Sequence, residues 1–138
     1  MSGTGEPLVE PMRRARARLV AAGIAPDEAS IDVDVYVMAI LGWDRATLVT
    51  QLRDATPASL EPRLTDWVDR RARREPTAYI VGTKEFWGRD FIVTPAVLIP
   101  RPETELVIEA ALPLVDAHPA PRIADVGTGS GAIGVTLA

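Results

Sequence analysis

The sequence predicts two unlike parts: an α-helical bundle over residues 1–81, joined by a β-hairpin linker over 82–96 to the start of an α/β domain over 97–138. Three observations carry that expectation. Apolar residues recur at three- and four-residue spacing through the first part of the chain. Two short aromatic and β-branched runs then flank a glycine turn. The chain closes on a short apolar run, alternating glycines and a new helical pattern, the strand–turn–helix order of a nucleotide-type α/β site.

The first helix is predicted over 7–22. Leu8, Met12, Ala15, Leu19 and Ala22 form its stripe, Pro11 sits in its first turn and Gly23 stops it. Arg13, Arg14, Arg16 and Arg18 surround that stripe, as a solvated face or as a patch for a partner. Pro26-Asp27-Glu28 opens a second segment to Leu41, closed by Gly42. Ile31, Val33, Val35 and Val37 alternate as in a strand, yet Ile31, Val35, Met38 and Leu41 share a helical face. The length, the acidic start and the terminal glycine favour helix.

Asp44 is placed to cap a short helix through Leu52, with Leu48 and Leu52 inward. Thr56-Pro57 reads as a cap and first helical residue, followed by a stripe of Leu60, Leu64, Trp67, Val68 and Ala72. Pro62 argues for a start a few residues later. Arg63, Arg70, Arg71, Arg73 and Arg74 face outward with Asp66 and Asp69, as local ion pairs or as a surface for an acidic partner.

Glu85 to Trp87 and Phe91 to Thr94 are the expected hairpin strands about a three-residue turn, Gly88-Arg89-Asp90. Phe86, Trp87 and Phe91 would pack the hairpin or wall a cleft. Pro100 and Pro102 then hold the chain extended around Arg101, and Pro102 starts a helix. Leu106, Val107, Ala110, Ala111 and Leu114 are its expected buried face. His118, the single histidine, lies beside Pro119 in a loop and is a weak candidate for catalysis.

Ile123, Ala124 and Val126 read as a strand with Asp125 just before Gly127, Gly129 and Gly131. Glycine permits a positive φ and lets a ligand approach the backbone. Gly129-Ser-Gly131-Ala-Ile-Gly134 satisfies the dinucleotide fingerprint. Taken from Asp125, the same unit resembles the first motif of S-adenosylmethionine-dependent methyltransferases, in which the turn lies along the methionine part of the cofactor. A carboxylate suits that zwitterion better than a pyrophosphate. A turn that binds nothing is the third alternative. A parallel strand and one helix cannot bury both faces of a sheet, so this domain is expected to be incomplete.

Bulk properties narrow the classes. With 47% hydrophobic and 25% charged residues the 138-residue chain is ordinarily globular, and its net charge of −4 gives no basic field for nucleic acid. Zero cysteines exclude disulfides, thiol catalysis and thiolate zinc, and no metal site is expected. Met1 to Glu6 holds no apolar leader, and the longest apolar run, Val35 to Leu41, is too short for a bilayer. A soluble, cytoplasmic protein is expected.

Gly82-x-x-Glu85-Phe86, then Leu98-Ile-Pro-Arg-Pro-Glu-Thr-Glu105, then Asp125-Val-Gly-Thr-Gly-Ser-Gly131 together resemble the release factor glutamine methyltransferases. The proline–arginine segment is the restrictive one; the glycine motif is shared by very many methyltransferases. The resemblance implies a helical domain joined by a hairpin to a Rossmann-like class I methyltransferase domain. It implies transfer of a methyl group from S-adenosylmethionine to the glutamine amide of the Gly-Gly-Gln motif of peptide release factors. By position, Gly127, Thr128, Gly129, Ser130 and Gly131 would form the cofactor turn, supported by Asp125. Leu98, Pro100, Arg101, Pro102 and Thr104 would border the cofactor and acceptor cleft, and the helical module would help engage the release factor. The family's Asn-Pro-Pro-Tyr motif, which holds the acceptor amide, does not occur in these residues, so no catalytic residue is assigned and the chain alone is expected to be inactive. Two alternatives stand beside this reading: a ribosomal-protein glutamine methyltransferase and a non-catalytic helical adaptor.

Overall fold

The computed structural model describes residues 5–138, and these divide into two units, the first running to Val81 and the second spanning Gly82–Ala138. The expectation of no leader falls largely on Met1 to Thr4, outside the described residues. No helix among the described residues is long and apolar enough to cross a membrane.

The first unit holds α1 (Val9–Ala21), α2 (Pro26–Leu41), α3 (Arg45–Gln51), α4 (Leu60–Ala72) and α5 (Thr77–Val81). Helix wins over strand in α2 because Pro26 pre-sets the first helical φ and Gly42 closes the end in the left-handed region, donating its N–H to the Met38 carbonyl. Asp44 caps α3 as expected, its Oδ1 accepting from the Thr47 N–H at 2.8 Å. The core joins Leu8, Met12, Leu19, Val33, Tyr36, Val37, Leu48, Leu60, Leu64 and Val68. Tyr36 and Trp67 meet edge to face, with centroids 5.5 Å apart.

Two expectations in this unit are corrected. Thr56 caps nothing: α4 begins at Leu60, and the buried Thr56 hydroxyl donates to the Glu6 carbonyl at 2.8 Å, tying the N-terminal segment to the loop before α4. In α2 the fully buried residues lie off the face shared by Ile31, Val35, Met38 and Leu41, although Met38 and Leu41 pack partly buried against the same core. Ile31 is 62% exposed, while Ala29, Val33, Tyr36 and Val37 are inside with Asp32 and Asp34. Those carboxylates are tolerable there because each has cationic partners: Asp34 accepts from Arg16 and Arg45, and Asp32 from Arg71 and the Thr77 hydroxyl. Several arginines reach across to other segments, Arg18 to Asp69 and Arg14 to Glu6 and Glu61 included, while Arg13 pairs with Glu10 one turn away and Arg70 with Glu75.

The second unit holds β1 (Thr83–Phe86), β2 (Arg89–Ile92), a 3₁₀ turn (Pro102–Thr104), α6 (Glu105–Asp116) and α7 (Ala132–Leu137). The strands pair antiparallel, Thr83 opposite Ile92 and Phe86 opposite Arg89. The hairpin turn has two residues, Trp87 and Gly88, rather than the expected three. Their φ angles of 53° and 69° are those of a type I′ turn, whose twist matches the strands it joins. Phe86 and Phe91, edge to face at 6.1 Å, pack with Ile108 and Ala132 in a small second core.

Two further expectations fail here. Residues 122–126 form no strand, since no neighbouring strand offers a ladder and Val126 is 95% exposed. α6 buries Ile108, not the expected face: Leu106 and Leu114 are 64% and 68% exposed. Period identifies residues that share a face; which face is covered depends on what lies against it. Among the described residues the strands form one antiparallel hairpin, and there is no parallel sheet.

Candidate cofactor cleft

The cleft is built by two segments of the second unit. In the first, the prolines dictate the backbone. Arg101 is extended (φ −97°, ψ 145°) because a residue before proline is driven from the helical region, and Pro102 starts the 3₁₀ turn, where the N–H that proline lacks would have no partner. The Thr104 N–H donates back to the Arg101 carbonyl at 3.0 Å. Next in line, Glu105 accepts from the Trp87 N–H at 2.9 Å, and Glu85 accepts from the Gly88 N–H at 2.6 Å. Two carboxylates thus hold the hairpin turn.

In the second segment Gly127, Gly129 and Gly131 all lie in the left-handed region, at φ 72°, 56° and 83°. An L side chain adopts that conformation only with strain, which accounts for the alternation of glycines. Asp125 ties this turn to the helix after it. Its Oδ2 accepts from the Thr128 hydroxyl at 2.9 Å and from the Gly134 N–H at 3.0 Å, binding the turn to the first turn of α7. Gly134, not among the expected site residues, is needed for that approach: a Cβ there would stand 3.1 Å from Oδ2. A glycine at the third position of a helical pattern was the available signal.

The segments meet in an open cleft of about 150 Å³. Leu98, Pro100, Arg101 and Thr104 line one side, and Gly127, Thr128, Gly129 and Ser130 the other. Ile99, Ala132 and Ile133 complete it. Among the expected residues, Pro102, Gly131 and Asp125 do not line the cleft: Pro102 is exposed, Gly131 bounds α7, and Asp125 is turned to its own hydrogen bonds. Nothing stands within 4 Å of a Cβ built on Gly127 or Gly129, so packing does not exclude side chains there and the space above the turn is open to a ligand. The volume is below the roughly 300–1,000 Å³ of a complete small-molecule site, and suits one end of a nucleoside-sized ligand. His118 lies elsewhere, exposed, its Nδ1 2.9 Å from the Leu114 carbonyl. No group of three metal-ligating side chains occurs among the described residues.

A groove of about 160 Å³ also lies between α1 and α4. Its arginines, Arg14 and Arg18, are already engaged by Glu6, Glu61 and Asp69.

Residues 10–82 match the family model described as the PrmC N-terminal domain. The chain belongs to this family. Curated relatives agree across the rest of the sequence. It is 41% identical over 137 residues to the release factor glutamine methyltransferase of Bradyrhizobium diazoefficiens, covering 97% of this chain and 46% of that one. With the Burkholderia pseudomallei protein of the same name it shares 43% over 109 residues, 79% of this chain and 38% of that one. With the Koribacter versatilis protein it shares 46% over 108 residues, 78% and 39%. The chain thus spans less than half the length of these relatives. The Bradyrhizobium match takes in the proline–arginine segment and the glycine turn, the two walls of the cleft.

Proposed function

We propose that this chain carries the cofactor turn and the substrate-recognition module of a release factor glutamine methyltransferase, a protein-glutamine N-methyltransferase dependent on S-adenosylmethionine. The supporting observation is the meeting of its two motif segments at one cleft beside a turn open to a ligand. Gly127 to Gly131 would receive the methionine end of the cofactor, with Asp125 holding the turn to α7. Leu98, Pro100, Arg101 and Thr104 would form the opposite wall, and Pro102 would fix its backbone. The sulfonium supplies an electrophilic methyl group; these residues bind and orient. The helical module over 1–81 would engage the release factor, with 82–96 as linker and 97–138 as the start of the catalytic domain.

The test is calorimetry of the chain with S-adenosylhomocysteine and with NAD⁺, beside a Gly129→Val variant. Binding of S-adenosylhomocysteine alone, lost with valine at Gly129, is the expected outcome. Binding of NAD⁺ instead would restore the dinucleotide alternative, and binding of neither would favour a helical adaptor.

A further inference from the structure

We propose that Arg101 is the carboxylate clamp of the cleft, its guanidinium receiving the α-carboxylate at the amino-acid end of the ligand; this rests on the S-adenosylmethionine reading of the glycine turn. Three observations support it. Arg101 lines the cleft opposite Gly127 and Gly129 and is the one cation among the described lining residues. Its guanidinium makes no hydrogen bond or ion pair among the described residues; Lys84 and Arg122 of the same unit are likewise unengaged, but neither of them lines the cleft. Its backbone is held by Pro100 and Pro102, so the side chain springs from a fixed mount.

The cleft position matters because basic side chains are the minority in this unit. The second unit has four basic side chains, Lys84, Arg89, Arg101 and Arg122, against seven acidic ones. An arginine with Glu103 two residues away would readily find a local partner, and this one does not take it. Guanidinium donors form a planar fork that matches a carboxylate with two parallel hydrogen bonds, which an ammonium cannot reproduce. The ligand class that fits is a nucleoside thioether or sulfonium bearing a free amino-acid end.

The experiment compares S-adenosylhomocysteine with 5′-methylthioadenosine, the same nucleoside thioether without the amino-acid end, by calorimetry on the 138-residue chain. Arg101→Gln should weaken S-adenosylhomocysteine about ten-fold, the loss of one charge-assisted contact, and leave methylthioadenosine unchanged. Arg101→Lys should fall between. Because Arg101 is exposed, both variants should melt with the wild type. Unchanged affinity for S-adenosylhomocysteine in Arg101→Gln, or equal weakening of both ligands, overturns the clamp. If the wild-type chain binds neither ligand, the cofactor reading itself falls and the clamp with it.

Discussion

Replacing Asp32 by alanine should destabilise the first unit more than replacing Asp32 and Arg71 together. The Arg71 and Asp32 side chains are 11% and 8% exposed, with Nε and Oδ2 2.7 Å apart. Asp32 also accepts from the Thr77 hydroxyl at 2.6 Å, and Thr77 is hydrogen-bonded to the Tyr36 phenol at 2.9 Å. Alanine at this position leaves the guanidinium with Glu28, whose side chain is 55% exposed, as its remaining carboxylate. Breaking one partner of a buried pair costs about 3–5 kcal/mol, whereas exchanging both charges for apolar side chains of similar size is often neutral. A unit of this size has a total stability of roughly 4–12 kcal/mol, so Asp32→Ala removes a large share of it. The double variant Asp32→Leu, Arg71→Met should stay within about 2 kcal/mol of wild type. Urea denaturation followed by tryptophan fluorescence reads this directly, since Trp67 packs edge-on against Tyr36. The single variant's midpoint should fall by about 2 M. A cost below about 1 kcal/mol, or a double variant as unstable as the single, would refute the reasoning.

Burial pushes the Tyr36 phenol up to about 12 from an ordinary 10. The folded state therefore holds the proton more tightly, and the stability this contributes is full below pH 10 and lost as pH rises toward 12. Thermal melts across that window should decline more steeply for wild type than for Tyr36→Phe. Gly88→Ala places a Cβ at φ 69° and should cost about 1–2 kcal/mol in chemical denaturation. Ile108→Ala should cost about 2–5 kcal/mol and Leu114→Glu less than about 0.5, because Ile108 is fully buried and Leu114 is 68% exposed; the reverse order would show that α6 buries its other face. Asp125→Ala removes the acceptor for Thr128 and Gly134 and should lower stability by about 1–2 kcal/mol in a thermal shift assay, with a parallel loss of S-adenosylhomocysteine affinity.

Local signals were legible in the sequence. Gly42, Asp44 and Pro102 act through their own backbone or nearest neighbours, and they end, cap and start helices where expected. The stripe of α4 was equally readable, since Leu60, Leu64, Trp67 and Val68 form its single apolar face. In α2 and α6 apolar residues lie on more than one face, and period alone does not choose between them. The roles of Asp32 and Asp34 depended on Arg71, 39 positions away, and on Arg16, 18 positions away, separations that no local pattern encodes. At the cleft, the residue types were readable because proline fixes its own φ and glycine alone takes a positive φ without strain. What the sequence concealed was contact: that Asp125 faces α7, and that Gly134 leaves room for it.

α5 has five residues, too few for a helix to persist on its own in water. Its first residue, Thr77, is held by Asp32, and its last, Val81, directly precedes the second unit. Wound, five residues advance about 7.5 Å; drawn out, about 17 Å. The buried carboxylate on α2 and the burial of Ile80 in the same core together keep those five residues in the wound form.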